Sequence, residues 1–116
     1  MNKTTLLGAA LAAALVLPMA AAQGTAAGNA TQGREKTQKC QGCHGIEGWR
    51  TAFPEVYRVP RIGGQHEAYL VKALQEYKSG ERSHPSMRGI AASLSDQDMA
   101  DLAAYYAQAG VKTAGK

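Results

Sequence analysis

The chain has 116 residues, a net charge of +4 and two cysteines. That is room for one domain, with too few cysteines for a disulfide framework. Its cationic residues are spread over every segment and form no basic run, which excludes nucleic acid as a partner class.

Residues 1–22 read as a secretory signal. Lys3 gives the positive start, Leu6 to Leu17 the apolar run, and Ala20-Ala21-Ala22 the small-residue site, with cleavage expected before Gln23. The apolar run is about a dozen residues, whereas a bilayer span needs about 20. Nothing later in the sequence is apolar for as long. The processed protein is therefore expected in the periplasm, exported, with no transmembrane segment. Cleavage leaves about 94 residues and, with Lys3 gone, a charge of +3. So short a chain buries a thin core unless a staple or cofactor fills it.

Residues 23–29 hold Gly, Ala, Thr and Asn without periodicity and read as a flexible leader, and 111–116 as a flexible tail. Between them, 30–110 reads as one all-α domain with three main helices and long loops. The first helix is expected from about Thr31 into the cysteine pair, with Arg34, Glu35, Lys36 and Gln38 as good helix formers and Gly33 as the odd member. A glycine in mid-helix costs about 1 kcal/mol against alanine, so Gly33 points to a close approach by another helix. A long connection from Gly45 to Gly64, stiffened by Pro54 and Pro60, is of the length that wraps a ligand. The second helix, His66 to Ser79, carries Leu70, Leu74 and Tyr77 on one stripe and ends at Gly80. Gly80 to Leu94, with His84, Pro85, Met87 and Gly89, reads as irregular. The third helix opens with Ser95 as N-cap and Asp98 three residues on, buries Met99, Leu102, Ala103 and Tyr106 with Tyr105 beside them, and stops at Gly110.

The chemistry sits in Cys40-Gln41-Gly42-Cys43-His44. This C-x-x-C-H spacing is a haem-attachment signature. Positions i, i+3 and i+4 share a helix face, so two thiols can bond the two vinyl groups along one haem edge while the imidazole reaches under the iron. Gly42 lets the macrocycle lie close to the backbone. A thioredoxin-like pair would follow a strand in a βαβ pattern, and none is read here. A structural zinc would want four ligands, and His66 and His84 stand alone rather than in a second knuckle.

C-Q-G-C-H-G, then V-P-R-I-G-G-Q-H-E-A-Y-L, Y-K-S-G-E-R, a lone methionine and L-S-D-Q-D-M-A-D-L-A-A-Y-Y follow one another in the order of the class I c-type cytochromes. From about Asn29 to Gly110 the chain resembles the small bacterial domains that also occur as tandem pairs in dihaem cytochromes. The motif occurs once, so the chain binds one haem. The resemblance implies a cytochrome c fold around one covalent haem c, bonded through Cys40 and Cys43 and ligated by His44. It implies Met87 as the second axial ligand, with His84 as the runner-up. Met1 and Met19 leave with the signal, and Met99 lies on the apolar face of the third helix. Pro60 matches the loop proline whose carbonyl holds the ring N–H of the proximal histidine. Gly33 and Tyr105 match the crossing of the first and last helices. Arg61, Gln65, Tyr69 and Trp49 are candidates for propionate bonds or haem packing, or are ordinary loop and core residues; His66 reads as solvated.

A haem with His and Met on its two faces has no open position for substrate. The expected function is a soluble one-electron carrier, not an enzyme, that docks on a redox donor and then an acceptor. The alternatives are an electron-transfer subunit of a periplasmic dehydrogenase or oxidase, and a haem that binds small ligands or reduces peroxide.

Overall fold

The computed structural model describes residues 26–110 apart from Pro54. The signal segment 1–22, the start of the leader and the tail 111–116 lie outside the described residues. In chain order the elements are α1 (Ala30–Glu35), α2 (Gln38–His44), β1 (Arg50–Thr51), β2 (Tyr57–Arg58), α3 (Glu67–Ser79), α4 (Pro85–Ala92) and α5 (Asp96–Gln108). The domain is helical, as expected, with five helices where the sequence gives three and one short ribbon where it gives no strand.

The first expected helix is two. Asn29 starts α1 by accepting from the N–H groups of Thr31 and Gln32 at 3.0 and 3.1 Å. The turn at Lys36 then tightens: its N–H donates to the Gly33 carbonyl, and Thr37 N–H to Arg34. Thr37, 3% exposed, also donates its hydroxyl to the Arg34 carbonyl at 2.8 Å. A threonine hydroxyl competing for that carbonyl interrupts the helix. Its own carbonyl then accepts from Cys40 and Gln41, which starts α2.

The segment from Gly80 to Leu94 is not wholly irregular. Gly80, at φ 89°, ends α3 in the left-handed conformation. His84 then caps α4, and Pro85 takes its first turn, where a missing N–H costs nothing. Met87 thus lies in the first turn of a helix and not in a loop.

The capping box of α5 is present, with Ser95 and Asp98 exchanging side-chain and backbone bonds. Met99, Leu102 and Ala103 are buried, and Tyr105 and Tyr106 are half-buried. Ala100, Asp101 and Ala104 are buried too: Gly28 lies against Ala100 and Ala104 and Gly33 against Asp101, and α1 and α3 both pack on α5. Leu94, Met99 and Leu102 form the core cluster, with Cys40, Leu74 and Tyr106 against it. Among the described residues no helix is long and apolar enough to cross a membrane.

The crossing of α1 and α5 needs glycine. A Cβ on Gly33 would run into the Asp101 carbonyl and stand 2.9 Å from Tyr105 Cβ. Gly28 lies equally close to the Ala100 carbonyl, Asn29 N–H donates to Asp101 Oδ1 at 2.8 Å, and the Gln97 amide donates to the Ala27 carbonyl at 3.1 Å. Asp101, 2% exposed, also accepts from Lys36 Nζ at 2.6 Å and from Gln97 at 2.8 Å. One buried carboxylate therefore ties the irregular segment 26–29, α1 and α5 together.

Replacing Gly33 with Ala is expected to destabilise the protein by about 1–3 kcal/mol, the cost of overpacking, although alanine is the better helix former. A melt in which the variant is as stable as the parent contradicts the crossing. The Lys36 ammonium holds the carboxyls of Asp98 and Asp101 below the usual 3.8, and they in turn raise Lys36 above 10.5. The carboxylates' contribution is present above about pH 4 and fades as pH falls below it. The lysine's contribution is present up to 10.5 and is lost above it. Asp101→Asn is thus expected to lower stability at neutral pH by about 1–3 kcal/mol, with the gap from wild type closing in acid in melts run against pH.

Candidate functional site

The break at Thr37 matters because α2 is the helix of the cysteine motif. Cys40, Cys43 and His44 stand at i, i+3 and i+4 of α2. Cys40 is half-buried against the core cluster and Cys43 is exposed; both are free thiols. Burial, chiefly, raises the Cys40 thiol above its usual range. A redox C-x-x-C has the opposite tendency, a thiol acidified into its thiolate. Among the described residues no three His, Cys, Asp or Glu side chains gather as a metal-binding group. Gly42 lies off the face of α2 that carries the two thiols, and a Cβ there would meet nothing within 4 Å.

His44 is held by the long connection. Its Nδ1 lies 2.7 Å from the Pro60 carbonyl. A carbonyl only accepts, so Nδ1 carries the proton and Nε2 keeps its lone pair for a metal. His84 has the reverse arrangement. Its Nδ1 accepts from the Met87 N–H at 3.4 Å, and its ring meets Tyr57 edge-on at 5.0 Å. In the neutral ring the proton is then on Nε2, which leaves that nitrogen no lone pair to give. His84 is a helix cap. Met99 is fully buried in the core and Met87 is half-buried, so of the two described thioethers Met87 is the accessible one.

The other candidates are taken up elsewhere. Arg61 pairs with Glu47 at 3.3 Å. The Gln65 side chain accepts from His66 N–H at 2.9 Å. Tyr69 accepts from Arg82 at 3.3 Å, and the same guanidinium lies over the Tyr69 and Tyr77 rings. Trp49 is exposed, with its carbonyl bonded to Val59 N–H. His66 is exposed at the N-cap of α3, without a side-chain cap bond. Sequence reasoning missed Asp101 and the capping role of His84; the His-Pro pair was the available signal for the latter. Tyr106 was read as a core residue only. Its hydroxyl is buried without a hydrogen-bond partner beside the Cys40 thiol, and burial raises its pKa.

A helical domain presenting two free thiols on one helix face, with a histidine whose one free nitrogen is fixed by a proline carbonyl, has the donor set for covalent haem: it defines a c-type haem protein. The residues fit that group. The comparisons place it within that class. The Cytochrome c family model matches residues 30–109. Cytochrome c4 of Pseudomonas aeruginosa is 43% identical over 82 residues, 71% of this chain and 39% of the relative. Cytochrome c-554(548) of Halomonas halodenitrificans is 39% identical over 83 residues, 69% of this chain and 95% of the relative. The thiosulfate dehydrogenase electron acceptor of Stutzerimonas stutzeri is 37% identical over 94 residues, 79% of this chain and 42% of the relative. The crystal structure of reduced recombinant cytochrome c4 from Pseudomonas stutzeri superposes with a TM-score of 0.58 at 37% identity, covering 72% of this chain and 46% of that one. The chain belongs to the cytochrome c family, and it spans about half the length or less of the cytochrome c4 relatives it matches. Haem c is its cofactor, with Cys40 and Cys43 as the cysteine pair of the attachment motif.

Wild-type protein is therefore expected to keep its haem stain on a denaturing gel. A Cys40→Ala/Cys43→Ala variant is expected to release haem into acidic organic solvent. A wild-type band without stain contradicts covalent attachment.

Proposed function

We propose that the protein is a periplasmic one-electron carrier whose iron is held between His44 and Met87, and that segment 1–22 is removed on export. The observation that carries the reading is the 2.7 Å bond from His44 Nδ1 to the Pro60 carbonyl. It leaves one ligating nitrogen and fixes the ring that bears it. Haem so ligated supplies reversible one-electron chemistry, with methionine favouring the ferrous state. The chain's own part is to hold the two axial side chains and keep other ligands out. Thr37 ends α1 and starts α2, Pro60 orients His44, and His84 fixes the first turn of α4 through the Met87 N–H.

A second reading, an electron-accepting component of a dehydrogenase, draws support from the Stutzerimonas stutzeri relative. It differs in permanence of pairing and not in the site, so mass against concentration during purification from the native host separates the two. On the export reading, mature protein begins at or within a few residues of Gln23, as intact mass will show.

Met87→Ala is expected to keep its haem but open the sixth position. Its potential is expected to fall by on the order of tenths of a volt, axial ligands setting haem potentials over about 0.8 V. Carbon monoxide is then expected to bind the reduced variant readily. His84→Ala is expected to keep spectrum and potential and to lose about 1 kcal/mol of stability, the worth of a helix cap. The opposite pattern, with His84 controlling the spectrum, overturns the ligand assignment.

A further inference from the structure

The ribbon in the long connection is built in a way that its own stability does not explain. In the antiparallel register Arg50 stands opposite Arg58, and Thr51 opposite Tyr57. Like charges directly opposite one another destabilise a ladder. Arg61 is paired with Glu47, but neither Arg50 nor Arg58 has a carboxylate within ion-pair distance among the described residues. Side chains alternate across a strand, so the two arginines share one face and Thr51 and Tyr57 the other. Tyr57 lies edge-on against His84. On that face Thr51 is half-buried and Tyr57 stays 54% exposed, and on the arginine face Arg50 and Arg58 are both exposed. Around it Phe53 is 85% and Val56 72% exposed, with Trp49 and Tyr57 also exposed.

We infer that the Arg50–Arg58 ribbon is the docking surface for an acidic face of a redox partner protein, a refinement that rests on the carrier reading above. Two guanidiniums side by side are suited to paired carboxylates, which they meet with planar, bidentate geometry at a lower desolvation cost than ammonium groups. The surrounding aromatic and aliphatic groups supply the apolar contact of such an interface. A carboxylate face between the strands also removes the repulsion that the free ribbon carries. The position is apt: β2 leads through Val59, bonded to the Trp49 carbonyl at 3.0 Å, directly to Pro60 and so to His44. A second copy of this chain is a poor occupant, because it brings arginine against arginine.

The test uses reduced, haem-loaded, isotopically labelled protein titrated with a hexaglutamate peptide at low ionic strength. Amide shifts are expected to be confined to residues 49–58 and to vanish at 1 M salt, where the Debye length is about 3 Å. Arg50→Gln/Arg58→Gln is expected to bind roughly tenfold more weakly, two exposed ion pairs being worth little more than that. Lys72→Gln on α3 is expected to bind as wild type does. An unchanged haem spectrum and melting temperature establish that the double variant is folded. Shifts spread over the lysines of α3, or undiminished binding by the double variant, overturn the proposal. So does tighter binding to phosphatidylglycerol vesicles than to the peptide, or self-association that the double variant abolishes. Cycling with ferricyanide and ascorbate separates the two readings. Wild-type protein that fails to cycle removes the carrier reading whatever the ribbon binds, and protein that cycles without ribbon binding removes the docking surface alone.

Discussion

Everything in this domain is arranged around the approach of the α1 backbone to the α5 backbone at Gly33. With no side chain at that position, Asp101 and Tyr105 of α5 come close enough for Asp101 to be buried and still reach Asn29, Lys36 and Gln97. Burying a carboxylate is costly unless its oxygens are fully engaged, and here they are. The crossing therefore fixes α1, and the Thr37 break that follows it fixes α2. Placing α2 puts Cys40 against Leu94, Met99 and Leu102. A small chain has little apolar area with which to position a site. Here one glycine contact and one carboxylate position it instead.

The same economy explains how much was legible in the sequence. Motifs that act through local geometry were readable: the capping box at Ser95, the glycine stop at Gly80, and the i, i+3, i+4 spacing of Cys40, Cys43 and His44. Gly33 was readable as a costly mid-helix glycine, while its partner Tyr105 and the Pro60 carbonyl came from the family resemblance; Gly33 lies against Tyr105, and the Pro60 carbonyl lies 2.7 Å from His44 Nδ1. What was not legible depended on contacts distant in sequence. Asp101 looks like a solvated acid on a helix until α1 and the segment before it cover it. Nothing local distinguishes Thr37 from a helix-interior threonine, and the break comes from its buried hydroxyl. α4 was missed because a Pro, a Ser and a Gly fall within its eight residues, although His84-Pro85 is a start signal. The cations read as scattered because Arg50 and Arg58 are brought together only by the ribbon.

His44 and His84 show how one residue type is divided between two tasks by its hydrogen-bond partner. A carbonyl at Nδ1 makes His44 a lone-pair donor through Nε2, and a backbone N–H at Nδ1 makes His84 a cap. The cap holds the turn that carries Met87. The two proposed axial side chains are thus each held through a backbone group, His44 by the Pro60 carbonyl in the long connection and the turn of Met87 by its own N–H to His84. Neither depends on an exposed ion pair, so the site is insulated from the salt that would govern docking.

The central claim is that the Met87 thioether sits on the iron. The most direct measurement is the methyl spectrum of reduced, haem-loaded protein carrying labelled methionine methyl groups, with Met99→Leu used to assign the second signal. A ligated thioether lies over the macrocycle, whose ring current moves the Met87 methyl far upfield of the ordinary methionine position. A Met87 methyl at the ordinary position, in protein whose haem is covalently attached, contradicts the account.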